Sequence, residues 1–264
     1  MRKWMVLVVA LFTLTGIVSI GSSYASAPNT PVHVFIDGLH QKDIIMVDNY
    51  VLIPLRAYAP NRLEFTFRYT DQTIEVLDPV SDKHFAIKNG ERKALVDGEE
   101  VELKTPVMVN ETGHTYVPLS FFAEYMDADV QYKPSEKRVI VRTLRGKDRY
   151  HKLMTGSLFL SRTLALELPQ TYYGFPGGYN RPSIKPSGTG SKLHVYFPRG
   201  EALRYVMEYK GLLTYVEINE DGLAFVKWVK DTLKDDVELG EQPAPFEASI
   251  YDSKFRDEVR IPGK

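Results

Sequence analysis

The sequence contains no cysteine. That excludes a disulfide framework, a thiolate metal site, a cysteine nucleophile and a lipid anchor on an N-terminal cysteine. It has no excess charge of either sign, with 33 Lys and Arg against 34 Asp and Glu and a net charge of −1. Residues 28–143 lean acidic and residues 144–264 slightly basic. Neither half carries the concentrated positive field that phosphate-backbone binding needs, so nucleic acid is not an expected partner. After the first twenty residues no apolar run approaches the ~17–25 residues of a spanning helix, and no hydrophobic sorting tail closes the chain. No Gly-x-Ser-x-Gly elbow and no phosphate-cradling Gly-Lys-Ser/Thr loop occurs. Asp37-Gly38 and Asp97-Gly98 lack the alternating acidic residues of a calcium loop and read as tight turns.

What is present begins with an export pattern. Arg2 and Lys3 precede an uncharged apolar run from Met5 to Ile20, which ends in small residues from Ser22 to Ala27. The small-x-small pattern predicts cleavage after Ala25 or after Ala27. Pro28 favours Ala25, because proline constrains the chain offered to a peptidase. Residues 1–27 are therefore expected to be a signal peptide. The protein is expected to be extracellular, secreted or held at the cell wall, with no membrane role beyond the signal.

Two stretches repeat one another about sixty residues apart. The first runs through Asp37-Gly38, Val51–Arg56, Leu63–Tyr69 and Thr73–Val76. The second runs through Asp97-Gly98, Thr115–Ser120, Ala128–Tyr132 and Arg138–Val141. The offsets are 60 at Asp-Gly, 64 at Pro-Leu and 63 at the tyrosine. Matched order with small insertions marks a duplicated structural unit. In the second copy, Pro118 suits the first turn of a helix, where its missing N–H is no loss. Leu119, Phe122, Ala123 and Met126 then recur at helical spacing. The strands Ala128–Tyr132 and Arg138–Arg142 follow around a turn at Lys133–Glu136. A helix over a small antiparallel sheet is the expected unit.

The Asp-Gly turn, the Val-Pro-Leu entry at 117–119, the Ala128-x-Val130-x-Tyr132 strand and the Val139-x-Val141 closing strand resemble the copper amine oxidase N-terminal domain-like family. This "stalk domain" is repeated in many exported proteins of Gram-positive, spore-forming bacteria. The resemblance covers residues 32–143, in two copies spanning 32–88 and 93–143. The first copy departs from the pattern, since Pro60 interrupts the helix begun at Pro54. The resemblance implies a scaffold lying apart from any catalytic domain. The residues agree, because copper needs converging imidazoles. The six histidines (His33, His40, His84, His114, His151 and His194) contain no His-x-His pair. Asn49-Tyr50 is followed by Val51, not by the acidic residue of a quinone precursor. No metal, cofactor or amine oxidase activity is expected.

From Gly146 the repeat stops. The loose alternation of Leu158, Leu160, Leu164, Leu166 and Leu168 predicts strands between Thr155 and Leu168. Residues 170–191 are dense in Gly and Pro and predict a long loop. Strands are expected at Lys192–Phe197, Ala202–Tyr209 and Leu212–Ile218, the last two joined at Lys210-Gly211. Residues 223–234 fit either a strand or a helix, with Val226, Trp228 and Val229 favouring the strand. An edge strand is expected at Phe246–Tyr251. The whole is expected to be α+β: a duplicated sheet-plus-helix stalk module followed by a β-rich antiparallel meander over 146–264.

The candidate binding residues are Tyr172, Tyr173, Phe175 and Tyr179, flat rings set among glycines and prolines. Such rings suit sugar stacking or protein contact; the opposing reading is that they fold back as a lid on the core. Glu208, Glu217, Glu220 and Asp221 are the carboxylates that an acid–base pair would draw on, but Lys210, Lys227 and Lys230 make an ordinary solvated sheet face the simpler reading. No catalytic residue is assigned. The expected function is a non-enzymatic exported protein in which the stalk presents a binding domain to cell-wall polysaccharide or another surface protein. The alternative is a secreted hydrolase of wall polymer or glycan with the stalk as accessory domain.

Overall fold

A computed structural model describes residues 32–58, 63–79, 81–172, 188–189, 192–234, 237–251 and 259–260. The chain opens with β1 (His33–Ile36) and β2 (Leu39–Gln41), joined at Asp37-Gly38, where both residues have positive φ. Then come β3 (Ile45–Val47), β4 (Tyr50–Pro54), the single-turn α1 (Leu55–Tyr58), β5 (Glu64–Arg68), β6 (Thr73–Asp78) and β7 (Lys83–Lys88). The next elements are β8 (Lys93–Val96), β9 (Glu99–Glu102), β10 (Met108–Val109), β11 (Thr115–Pro118), α2 (Leu119–Tyr125), β12 (Asp129–Lys133) and β13 (Arg138–Arg142). Helices α3 (Leu144–Thr155) and α4 (Leu158–Glu167) follow, then β14 (Gln170–Tyr172), β15 (Leu193–Pro198), β16 (Arg204–Tyr209), β17 (Leu212–Ile218) and β18 (Ala224–Asp231). The last elements are β19 (Glu238–Gly240), β20 (Ala248–Ile250) and β21 (Val259–Arg260). The protein is α+β, sheet-rich with few helices.

Four sheets result. The first has the order β12-β13-β1-β2, with β1 parallel to β13 from His33↔Arg138 to Ile36↔Val141. The second is β10-β11-β4-β3, whose central pair is antiparallel with Ile53 opposite Val117. The third is the antiparallel β5-β6-β7-β8-β9. The fourth runs β14-β18-β17-β16-β15-β20-β21, with β19 also on β18. Within it β15 to β18 are antiparallel in chain order, while β14 lies parallel to β18. Lys210 and Gly211 both have positive φ, as a two-residue hairpin turn requires.

The strands expected over 155–168 are instead helical. Thr143 caps α3, its hydroxyl accepting from the Gly146 amide at 3.0 Å, and Ser157 caps α4. The face that α4 buries carries Ser161, Arg162 and Ala165 rather than a leucine stripe. Arg162 is accommodated because its guanidinium donates to the carbonyls of Glu201 at 2.7 Å and Pro198 at 2.9 Å. The ambiguous 223–234 segment is strand β18.

The described residues from Val32 onward form one compact unit. One core gathers Val34, Ile53, Leu55, Val76, Phe85, Phe121 and Phe122 among the first three sheets. A second gathers Leu153, Ala165, Tyr172, Phe197, Tyr205, Val216 and Val226 between α3, α4 and the fourth sheet. A third, small cluster of Phe35, Ile140, Leu223 and Phe225 joins the outer face of the first sheet to the start of β18. Arg138 lies beside it, within cation–π distance of Phe35 and Phe225 and 3.8 Å from the buried Asp221 carboxylate. Arg142 stacks on Tyr150 and donates to the Asp221 carbonyl at 3.0 Å.

Candidate ligand cleft

The cleft arises where a sheet face outruns its cover. On the inner face of the third sheet, Phe65, Val76, Phe85 and Val96 form one cross-strand row, and Phe67, Ile74, Ile87 and Ala94 form the next. Helix α2 covers the middle of this face, with Phe121 edge-on to Phe85 at 5.3 Å, and Val76, Phe85, Ile87 and Ala94 are buried. At the β5 end the cover stops, and Phe67 is 46% exposed. The space beside it is a cleft of about 640 Å3, within the ~300–1,000 Å3 range of small-ligand sites.

Three pieces of chain wall it in. Phe65, Thr66, Phe67 and Ile74 supply the floor, and Pro54, Leu55 and Arg56 supply the wall where β4 becomes α1. The β10–β11 hairpin supplies Val109, His114 and Thr115. That hairpin is held locally. The Asn110 side-chain oxygen accepts from the amides of Thr112 at 3.0 Å and His114 at 2.9 Å, while Gly113 takes a φ of 78°. The Asn89 side chain anchors the same strand by accepting from the Val109 amide at 2.9 Å.

The polar groups at the cleft are few. The Arg56 guanidinium lies over the Phe65 ring, 4.7 Å from its centroid, and among the described residues it meets no carboxylate. Asp43 is already engaged: its carboxylate sits 3.7 Å from His114 Nδ1 and takes a hydrogen bond from the Tyr116 hydroxyl. Burial and then this carboxylate push the Tyr116 phenol up to about 12. The Asp43–His114 separation is beyond hydrogen-bond reach, and among the described residues no hydroxyl bonds the His114 ring. The arrangement is apolar, with one cation available to a ligand, and it assembles no nucleophile with a base.

The residues singled out from sequence lie elsewhere. Tyr172 is in β14, 8% exposed and part of the second core, its backbone paired with Val226. Tyr173, Phe175 and Tyr179 lie outside the described residues, as do Ala25 and Ala27. Glu208 and Glu217 sit at different levels of the β16–β17 ladder, opposite Leu213 and Arg204. Each takes a hydrogen bond from a tyrosine hydroxyl, Glu208 from Tyr196 at 3.1 Å and Glu217 from Tyr215 at 2.6 Å. Glu220 pairs with Lys133, and Asp221 is buried beneath Lys133 and Arg138. His33 and His40 approach ring to ring at 5.5 Å, but among the described residues no group of three or more His, Cys, Asp or Glu side chains is placed to hold a metal ion. Nothing in local sequence marks the cleft, whose walls come from residues 43 to 115 and meet only through sheet pairing.

Residues 39–141 match the family model of the copper amine oxidase N-terminal domain. The whole lining of the cleft falls within the matched segment. No curated protein and no solved structure matches the chain.

Proposed function

We propose that this is an exported, non-catalytic protein of the cell envelope or the secreted fraction, which works by binding. The observation that carries the reading is the apolar cleft between β5 and the β10–β11 hairpin, where among the described residues Arg56 meets no carboxylate and no nucleophile–base pair is assembled. The cationic, apolar and small-residue series from Arg2 to Ala27 supports export. Cell-wall polysaccharide or another surface protein is the partner class.

Around the cleft, the element order of β1 to β6 recurs in β8 to β13 with α2 in the place of α1, which supports a duplicated stalk module. In this reading the copies interlock. The first strands of one copy share a sheet with the last strands of the other, as β1 does with β13, and β4 and β11 pair across the middle. An interlocked pair is a stiff spacer, and the Phe35–Ile140–Leu223–Phe225 cluster fastens it to the second half of the chain.

The test is retention of the purified protein on insoluble cell wall, with assay of released sugars and peptides. Retention without release, lost in Phe67→Ala at an unchanged melting temperature, is the expected result. Release of sugars or peptides would replace this reading with the hydrolase, and no retention would remove the wall as partner.

A further inference from the structure

We infer that the cleft takes an extended peptide segment, which adds as a strand to the open edge of β5 and sets a carboxylate on Arg56. This deepens the binding reading above and rests on it. The first observation is geometric. Three consecutive residues, Phe65, Thr66 and Phe67, line the cleft. Side chains alternate along a strand, so a space touching all three must reach the strand's edge and not one face alone. Among the described residues strand β5 ends its sheet and pairs with β6 alone. Half of its backbone N–H and C=O groups therefore point away from β6, toward a would-be neighbour.

The second observation is the contrast between the two edges of this sheet. The far edge, β9, reads Glu-Glu-Val-Glu and carries Glu99, Glu100 and Glu102. A row of like charges of this kind repels an incoming strand. Among the described residues the β5 edge has no such guard. Its outward charges are Glu64 and Arg68, and Arg68 is occupied by Asp71 at 2.9 Å and Glu75 at 2.9 Å. The unguarded edge is the one beside the apolar cleft.

The third observation sets the ligand's charge. Asp43 is engaged by Tyr116, whereas among the described residues Arg56 meets the face of Phe65 and no carboxylate. A guanidinium over a ring face still has N–H groups to donate to a carboxylate. The ligand is then a strand whose apolar side chains enter beside Phe67 and whose acidic side chain or C-terminus meets Arg56. Backbone pairing supplies affinity and the alternate side chains supply selectivity.

The test uses the full chain and an array of seven-residue peptides alternating Thr with Val, Leu, Phe or Tyr. Each peptide is made as the free acid, as the C-terminal amide, and as the amide with a terminal Glu. Binding by a free acid or a Glu amide at least about tenfold tighter than by the plain amide is expected, since a charge-assisted hydrogen bond contributes about that much. Which of the two binds separates a chain terminus from an acidic side chain. Arg56→Gln should abolish the difference without moving the melting temperature, and Arg56→Lys should restore part of it. Methylating alternate backbone nitrogens of the best peptide should weaken binding about tenfold in one register and little in the other. Equal binding of charged and uncharged peptides, or indifference to N-methylation, overturns the inference. Phe67-dependent retention on cell wall with no peptide bound also overturns it while leaving the binding reading intact; failure of both assays removes both.

Discussion

The carboxylate of Asp37, in the first turn of the described chain, accepts hydrogen bonds from Thr143, 106 residues later, through the amide at 2.9 Å and the hydroxyl at 2.7 Å. The same Thr143 hydroxyl caps α3 by accepting from the Gly146 amide at 3.0 Å. One aspartate thus fixes the β1–β2 turn, the end of β13 and the start of the helix that leads into the second half.

Gly146→Ala should be destabilising out of proportion to one methyl group. A Cβ there would stand 1.8 Å from Asp37 Oδ1, and overpacking of this kind costs about 1–3 kcal/mol. Asp37→Ala should itself destabilise by removing two hydrogen bonds, yet adding Gly146→Ala to it should cost little more, because the clashing oxygen is gone. Urea unfolding of the two single variants and the double variant measures this non-additivity.

Asp221→Ala should be destabilising. The Asp221 side chain is 4% exposed and faces Lys133 Nζ at 3.2 Å and Arg138, whose side chain is 7% exposed. Its removal takes the buried carboxylate from Arg138 and leaves that guanidinium with the half-exposed Glu136, which costs about 1–3 kcal/mol. Chemical denaturation followed by Trp228 fluorescence reads the loss, since Trp228 is buried in β18.

Tyr172→Ala should lower the melting temperature sharply, by the equivalent of about 3–5 kcal/mol for a large aromatic removed from a core. Tyr172 packs with the second core. A variant that kept its melting temperature and lost only ligand binding would place this ring on the surface instead.

Stability should fall as pH drops from about 6.5 toward 4, and part of that fall belongs to His40. Burial first, then His33 and Lys42, holds the His40 imidazole down to about 4. The folded state therefore stays neutral while the unfolded chain, with an ordinary imidazole, takes up a proton. The stabilisation is complete above the unfolded value and is lost as pH falls through this window. His40→Gln should flatten that part of the stability profile relative to the parent, measured as melting temperature between pH 4 and 7.

The repeat elements were legible because their signals are local. Asp-Gly pairs, proline at a helix start and alternating β-branched residues each act within a few positions, and β11, α2, β12 and β13 lie where those signals put them. Helix α4 was not legible. Its leucines at 158, 160, 164 and 166, with Leu168 just past its end, mimic a strand, while the face it buries carries Ser161, Arg162 and Ala165. The distant carbonyls of Pro198 and Glu201, with the face of Phe197, make that burial of an arginine acceptable. The one local sign was Ser157 as a cap. The cleft was invisible for a different reason: the uncovered Phe67 end of a sheet row shows only when one knows where α2 ends relative to β5.

The parallel pairing of β1 with β13 also bears on time. The first strand has no partner on that side until residue 138 has arrived, and the Asp37 turn is not locked until Thr143 follows. Contacts so far apart along the chain form slowly, because a long loop must close before any of them is rewarded. A chain threaded unfolded through a membrane, as the proposed export demands, gains from this delay. Its leading strands cannot complete their sheet until β12 and β13 have crossed behind them.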